Sequence, residues 1–325
     1  MLATLGVTTY NAAGTVRSAI ESVLSQDWEQ FEVIVVDDAS SDETRDILNE
    51  YERNDPRLRV LANERNLGVA ASRNVIISEA RGEFVAFFDD DDVSASDRVR
   101  RQIERLITYE AEFGEGAPVI CHTARYQNYP DGSTRTERTM GENEGRRAPS
   151  GMPIVERMLM GTPLDGAYGA CGCCSLLART DTVRAFGSFD PAFRRCEDSE
   201  LYIRMATKGA HFVGIGEPLV TQAMTQTSDK SLDSIRRYQI ALIEKHRDVF
   251  PTDRDYRHSR DWIDMKFSLH GGRRAELIRR LVWLGLRFPI RTARRLMIAR
   301  WNVEGNRAFR RFYADRQSPS AAPPP

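Results

Sequence analysis

The sequence predicts an α/β fold: a mostly parallel sheet flanked by helices, with a C-terminal helical extension. Three observations predict it. From Leu2 to His122, short β-branched and aromatic runs alternate with helical apolar stripes, the pattern of βαβ units. Three of those runs end in polar clusters, Thr8–Tyr10, Asp37–Asp38 and Asp89–Asp92, and open α/β sheets bind ligands at the carboxyl ends of their strands. Beyond Gly271, arginines interleave with Leu, Ile and Trp on either side of Pro289, as in two basic amphipathic helices.

Leu2–Thr8 reads as the first strand. Val16, Ala19, Ile20, Val23 and Leu24 then make one helical stripe. Phe31–Val36 is a strand broken only by Glu32. Ser40 and Glu43 have capping-box spacing ahead of a helix with Ile47, Leu48 and Tyr51 inward. Leu58–Ala62 is a third strand, and a turn-rich stretch, Asn63–Gly68, leads to a helix from Val69 to Ala80 carrying Arg73. Glu83–Phe88 suits a strand covered on both faces. It runs into four consecutive carboxylates, which a packed fold does not need. Such a cluster suits a divalent cation; it also suits a solvated turn capping the next helix. That helix turns Val99, Ile103, Leu106 and Ile107 inward, and Pro118–His122 is a fifth strand.

Asn128–Gly151 is rich in Gly, Pro, Ser and charge, the composition of a lid or a disordered loop. Patterning resumes at Ile154–Met160. Cys173–Ala178 reads as a strand, with Thr180 capping a short helix to Phe186. Glu197-Asp198 opens a helix stopped at Gly209. Phe212–Ile215 and Leu219–Met224 read as two short strands, and Ser231–Phe250 as helix.

The composition, 41% hydrophobic and 29% charged over 325 residues, is that of a soluble globular protein. No apolar run approaches the roughly 18 residues of a membrane span, and the start lacks signal-peptide features. A cytoplasmic location is expected, with peripheral contact at the inner face of the membrane. Among five cysteines, Cys171, Cys173 and Cys174 are too close for a disulfide framework and lack the CxxC spacing of zinc ligands. Net charge is −1, yet Arg273–Arg316 holds thirteen Arg against three acids, an asymmetry that suggests an anionic partner. No GxGxxG follows the first strand and no GxxxxGK[ST] occurs, so dinucleotide and P-loop sites are disfavoured.

The succession TTYN, VVDDASSDET, ERNLGVAASRN, GEFVAFFDDDD and FDPAFRRCEDSELYIRMATKGAHF resembles family 2 glycosyltransferases of the GT-A fold, over roughly residues 1 to 230. The resemblance implies an inverting enzyme that moves a sugar from a nucleotide-sugar, a UDP-sugar above all, to the hydroxyl of a glycan or lipid-linked acceptor, with Mn²⁺ or Mg²⁺ as cofactor. It implies that Thr8 and Tyr10 flank the base, Asp38 accepts from the uracil ring, and Arg73 lies by the base or diphosphate. Asp90 would hold the ribose, Asp91 the metal, and Asp89 would support both. Asp198 would be the catalytic base, with Glu197 beside it. Each has an ordinary counterpart: Asp198 as a helix cap, Arg73 as a surface arginine, Tyr10 as strand-end packing. One departure stands out. Many members carry a His after the last core strand, whereas Leu219–Gln226 has none; Thr225, Ser228 and Lys230 are the local candidates for the diphosphate.

The implied organisation is a catalytic domain over 1–230, whose 1–125 half binds the nucleotide-sugar and whose 126–230 half carries acceptor and base. A basic helical region follows over 231–316 and a disordered tail over 317–325. The Arg-rich helices suit an anionic membrane surface, packing on the catalytic domain, or self-association as a homodimer. No nucleic-acid module is visible. The alternatives are a degenerate nucleotide-binding scaffold without turnover and a sugar-nucleotide nucleotidyltransferase. The second is disfavoured by the lack of a glycine-rich basic loop after the first strand.

Overall fold

The structure, a computed structural model, describes residues 1–166, 169, 171–225, 231–299 and 312. It divides into two compact units: Met1–Val155 with Leu164–Thr225, and Glu156–Pro163 with Gln226–Pro325.

The first unit begins with regular alternation: β1 (Ala3–Thr9), α1 (Val16–Leu24), β2 (Phe31–Asp37), α2 (Thr44–Asn54), β3 (Leu58–Ala62), α3 (Val69–Glu79) and β4 (Phe84–Asp89). There follow β5 (Val93–Ser94), α4 (Arg98–Tyr109), β6 (Val119–Asn128), β7 (Thr134–Glu137), α5 (Met152–Met160, which passes into the second unit after Val155), β8 (Leu177–Arg179), α6 (Thr180–Ala185), α7 (Glu197–Thr207) and β9 (His211–Ala223). The strands form one sheet in the order β3-β2-β1-β4-β8-β6-β9-β5, with β7 on β6. Pairing is parallel among β1–β4 and between β6 and β9, and antiparallel where β8 joins β4 to β6.

The parallel register positions the site. Thr9 lies opposite Asp37, Asp37 opposite Ala62, and Thr8 opposite Asp89. Three polar strand ends are thereby brought to one level. Beneath them β1, β2 and β4 are buried almost throughout. Each Val or Phe side chain so covered contributes about 1.5–3 kcal/mol.

Local structure differs from expectation at several points. The capping box does not form, because the Ser40 hydroxyl donates to Asp37 Oδ1 (2.5 Å) and accepts from the Asn11 N–H. Thr180 is the first residue of α6 rather than its cap, its hydroxyl donating to the Gly82 carbonyl. Cys173–Ser175 is a 3₁₀ turn that only then enters β8. The two short strands after Phe212 are one strand, β9, with a bulge opposite Thr123 and Ala124. Residues 128–151 are anchored rather than free. β7 pairs β6, Thr139 and Met140 are buried, and Ser150 bridges His211. Gly141 has φ +69°, and a Cβ there would meet the Phe212 carbonyl oxygen at 1.9 Å.

The second unit holds α8 (Leu232–Lys245), α9 (Asp253–His270), α10 (Arg274–Arg287) and α11 (Pro289–Ala299). Pro289 opens α11, a position that needs no N–H donor. Ser231 caps α8 by accepting from Ser234 N–H. Trp262, Met265, Leu284 and Phe288 form its core. Among the described residues no helix is long and apolar enough to cross a membrane. Trp301 and the expected tail over 317–325 lie outside the described residues.

Candidate active site

The carboxylates at the strand ends have distinct surroundings. Asp38 is buried and takes three hydrogen bonds: Asn63 Nδ2 (2.7 Å) and Leu67 N–H (2.9 Å) on Oδ1, Gly68 N–H (2.8 Å) on Oδ2. It therefore winds the 63–68 turn onto the end of β2. Gly68 permits this because its φ is +90°, a region that other residues rarely enter. Thr8 is buried at the end of β1, while Tyr10 is 48% exposed and its N–H donates to Asp90 Oδ2 (2.9 Å).

Arg73 is 97% buried: relative exposure is 3% for the whole residue. Its Nη2 donates to Asp89 (2.9 Å) and its Nη1 to Glu197 Oε1 (2.7 Å). One guanidinium thus bridges the end of β4 and the first turn of α7. This is the fork geometry that arginine supplies and lysine does not. Asp198 follows Glu197 at the start of α7, half-buried, and its Oδ1 accepts from the Ser199 N–H (2.6 Å). Cys196, just before, is in the left-handed region at φ +63°, a backbone strain found most often at functional sites.

The four-acid run is electrostatically unfavourable as it stands. Burial, reinforced by the charges of Asp91 and Asp89, pushes Asp90 up to about 7, despite the Tyr10 N–H. Burial and the charges of Asp89 and Asp91 also raise Asp92. Asp92 Oδ1 accepts from Ala223 N–H (3.1 Å), but its buried Oδ2 has no hydrogen-bond partner among the described residues. Asp89, Asp92 and Cys174 offer ligand atoms within 4.8 Å of one another. Asp91 accepts from Thr225 Oγ1 (2.7 Å). An orphaned carboxylate oxygen and crowded, proton-seeking acids fit a divalent cation, which favours oxygen donors. Thr225, which the sequence offers to the diphosphate, touches the acid run through Asp91; Ser228 and Lys230 lie outside the described residues.

Cys121, Cys171, Cys173 and Cys174 are thiols outside any disulfide. Burial pushes Cys171 up to about 11 and Cys121 up to about 12, and raises Cys173 and Cys174 further. They pack as neutral groups, and among the described residues no Cys/His cluster of zinc type occurs. Sequence reading counted Asp92 in the acid run but gave it no role of its own, and it weighed Cys174 as a zinc ligand; that the two lie together beside Asp89 depends on the fold.

Comparison with known proteins accords with this geometry. The fold is GT-A: the chain is similar to the 1–349 portion of S. aureus TarS (TM-score 0.56, 18% identity, 98% of this chain and 91% of that one). It is also similar to the mannosyltransferase PcManGT of Pyrobaculum calidifontis, solved with GDP-Man and Mn²⁺ (TM-score 0.56, 15% identity, 96% and 84%). The model of Glycosyl transferase family 2 matches residues 4–180, more than half of the chain, and the chain belongs to that family. Its relatives include the putative teichuronic acid biosynthesis glycosyltransferase TuaG of Bacillus subtilis, 40% identical over 104 residues (32% of this chain, 41% of TuaG). Another is the UDP-Glc:alpha-D-GlcNAc-diphosphoundecaprenol beta-1,3-glucosyltransferase WfgD of Escherichia coli, 37% identical over 107 residues (33% and 42%). The chain spans about two fifths of the length of these two relatives.

Proposed function

We propose that the chain is an inverting, metal-dependent glycosyltransferase that moves a sugar from a UDP-sugar to an acceptor hydroxyl in polysaccharide or glycolipid synthesis. The observation that carries this reading is the Arg73 bridge. It ties the β4 acids, suited to a nucleotide diphosphate and its cation, to the α7 turn that bears Asp198.

Thr8, Tyr10 and Asp38 border the base, with Asp38 also fixing the 63–68 turn. Asp90 holds the ribose and Asp89 keeps Arg73 in place. Asp91 would be the principal ligand of Mn²⁺ or Mg²⁺, and Asp89 and Asp92, whose oxygens lie within 4.8 Å of each other and of Cys174 Sγ, would offer further donors from the same acid run. A bound divalent ion supplies electrostatic stabilisation of the leaving diphosphate. Asp198, its Oδ1 held by the Ser199 N–H at the start of α7, takes the acceptor hydroxyl's proton as the oxygen attacks. Such general-base help contributes typically ~10²–10⁴ in rate. Residues 1–125 serve the donor, and 126–230 the acceptor and base.

A thermal-shift panel of UDP, GDP, dTDP and CDP, with and without Mn²⁺ or Mg²⁺, tests the donor site. At about 100 times its Kd a ligand adds ~2.7 kcal/mol, a rise of a few degrees in Tm. UDP with metal is expected to stabilise wild type and to lose its metal dependence in Asp91→Asn. Asp198→Asn is expected to abolish sugar transfer while nucleotide binding persists; persistent transfer would sink the base assignment.

The helical unit supports a peripheral membrane role. Ile278, Val282 and Leu286 follow at intervals of four along α10 and are exposed, as are Trp283 and Ile290. Arginines flank them, the pairing that suits an anionic bilayer surface.

A further inference from the structure

The helical unit also contains a cavity of about 230 Å³ between α9, α11 and the turn after α5. Arg291, Arg294 and Arg295 line it from α11, at spacings that place them on neighbouring helical positions. Asp255 of α9 answers Arg291 in an ion pair. Arg294 and Arg295 have no such answer. Among the described residues no carboxylate lies within 4.0 Å of either, although Glu156 lines the same cavity.

Arg295 is the more constrained of the two. Its guanidinium lies 4.9 Å over the Trp262 ring, and its Nη1 reaches only the Ser259 hydroxyl, at 3.5 Å. Gly161 backs onto it at φ +67°, where a Cβ would lie 3.1 Å from Arg295 Nε. Burial with no acid to offset it pulls this arginine down to about 9. The adjacent His258 supplies no counter-charge, being pushed down to about 4 by burial and then by Arg295 and Arg291. A sheltered cation without a partner is costly, and the missing component is an anion. The hydroxyls of Ser259 and Thr162 on the cavity wall add donors to two guanidinium forks, a combination that matches the oxygens of phosphate.

We propose that this cavity binds a phosphate group, held by Arg295 and Arg294 with Ser259 and Thr162, and presented by a soluble phospho-compound or by an anionic lipid head. The inference does not rest on the donor-site reading. The test uses the full chain at constant ionic strength. Calorimetric titration with inorganic pyrophosphate probes the soluble source, and co-sedimentation with phosphatidate-containing against pure phosphatidylcholine vesicles probes the lipid source. Both are repeated with Arg295→Gln and with Arg294→Gln, whose exposed position guards against a folding defect. Loss of one charged hydrogen-bonding group is expected to weaken binding at least about tenfold. Pyrophosphate affinity that falls in the variants assigns a soluble ligand. Phosphatidate retention that falls, with no pyrophosphate heat in wild type, assigns a lipid head. Wild type that binds neither, or variants equal to wild type in both assays, overturns the proposal.

Discussion

Arg73 shows what one side chain does here that its position in the sequence could not express. The stretch NLGVAASRN offered a helix arginine, either facing a ligand or lying on the surface. The structure buries it between Asp89 and Glu197, 16 and 124 residues away along the chain. Arg73→Ala leaves two sheltered carboxylates without a cation, a change that costs ~3–5 kcal/mol and is read as a fall in denaturation midpoint. Arg73→Lys keeps the charge but loses the fork. Its expected signature is a fall in kcat with UDP affinity near wild type, and a loss confined to UDP affinity would return Arg73 to donor contact. His122 gives a pH prediction. Burial, then Arg125 and Arg98, push it down from 6.5 to about 3, and its Nε2 shares a hydrogen bond with Tyr202 (2.9 Å). The folded form excludes a proton that the unfolded chain accepts. Stability is therefore full above the ordinary histidine value and lost below it, at roughly 1.4 kcal/mol per pH unit. Urea denaturation from about pH 7.5 down to about pH 5 checks this, and His122→Gln is expected to flatten the slope.

The elements were legible where one principle dominated. β1 to β4 and their helices could be read because strand runs and 3.6-residue stripes there are uninterrupted. α9 escaped because its inner face mixes apolar Trp262 and Met265 with His258, Ser259, Asp264 and Ser268, all buried. Asp264 is tolerated there because Arg236 and Arg280 hold it from α8 and α10, partners that no local pattern reveals. β7 was hidden by its polar composition. The 128–151 stretch looked like a lid, yet Gly141 packs its backbone directly onto β9 and shares hydrogen bonds with Gly214 and Gly166. Gly141→Ala combines a left-handed backbone with a backbone clash and is expected to destabilise by at least ~1–3 kcal/mol. A chemical-denaturation midpoint equal to wild type would mean that this stretch is not pinned as described.

For the molecule as a whole, the concentration of arginine in the C-terminal helices was visible in the charge pattern alone. The alignment of strand ends was foreseeable from βαβ logic, whereas the individual hydrogen bonds on Asp38, Asp91 and Asp92 needed the fold. The exposed apolar side chains of α10 and of the start of α11 lead to a prediction about the intact protein. Wild type is expected to sediment with anionic vesicles, and Leu286→Glu with Ile290→Glu to reduce the bound fraction severalfold, each buried leucine-sized side chain contributing ~1.5–3 kcal/mol. Equal sedimentation of the double variant would assign the stripe to another surface.

The sheet order has a consequence for how the chain comes into being at the ribosome. β1 to β4 pair with one another within the first 89 residues, so the strand ends bearing Asp38 and Asp89 can assemble early in synthesis. β8 and β9 join partners about a hundred residues upstream. Arg73 is translated long before Glu197. Through that interval the nascent fold carries a half-answered cation, and the arrival of α7 both relieves it and delivers Asp198. The group proposed as the base is thus set in place by the same contact that completes the charge pairing of Arg73.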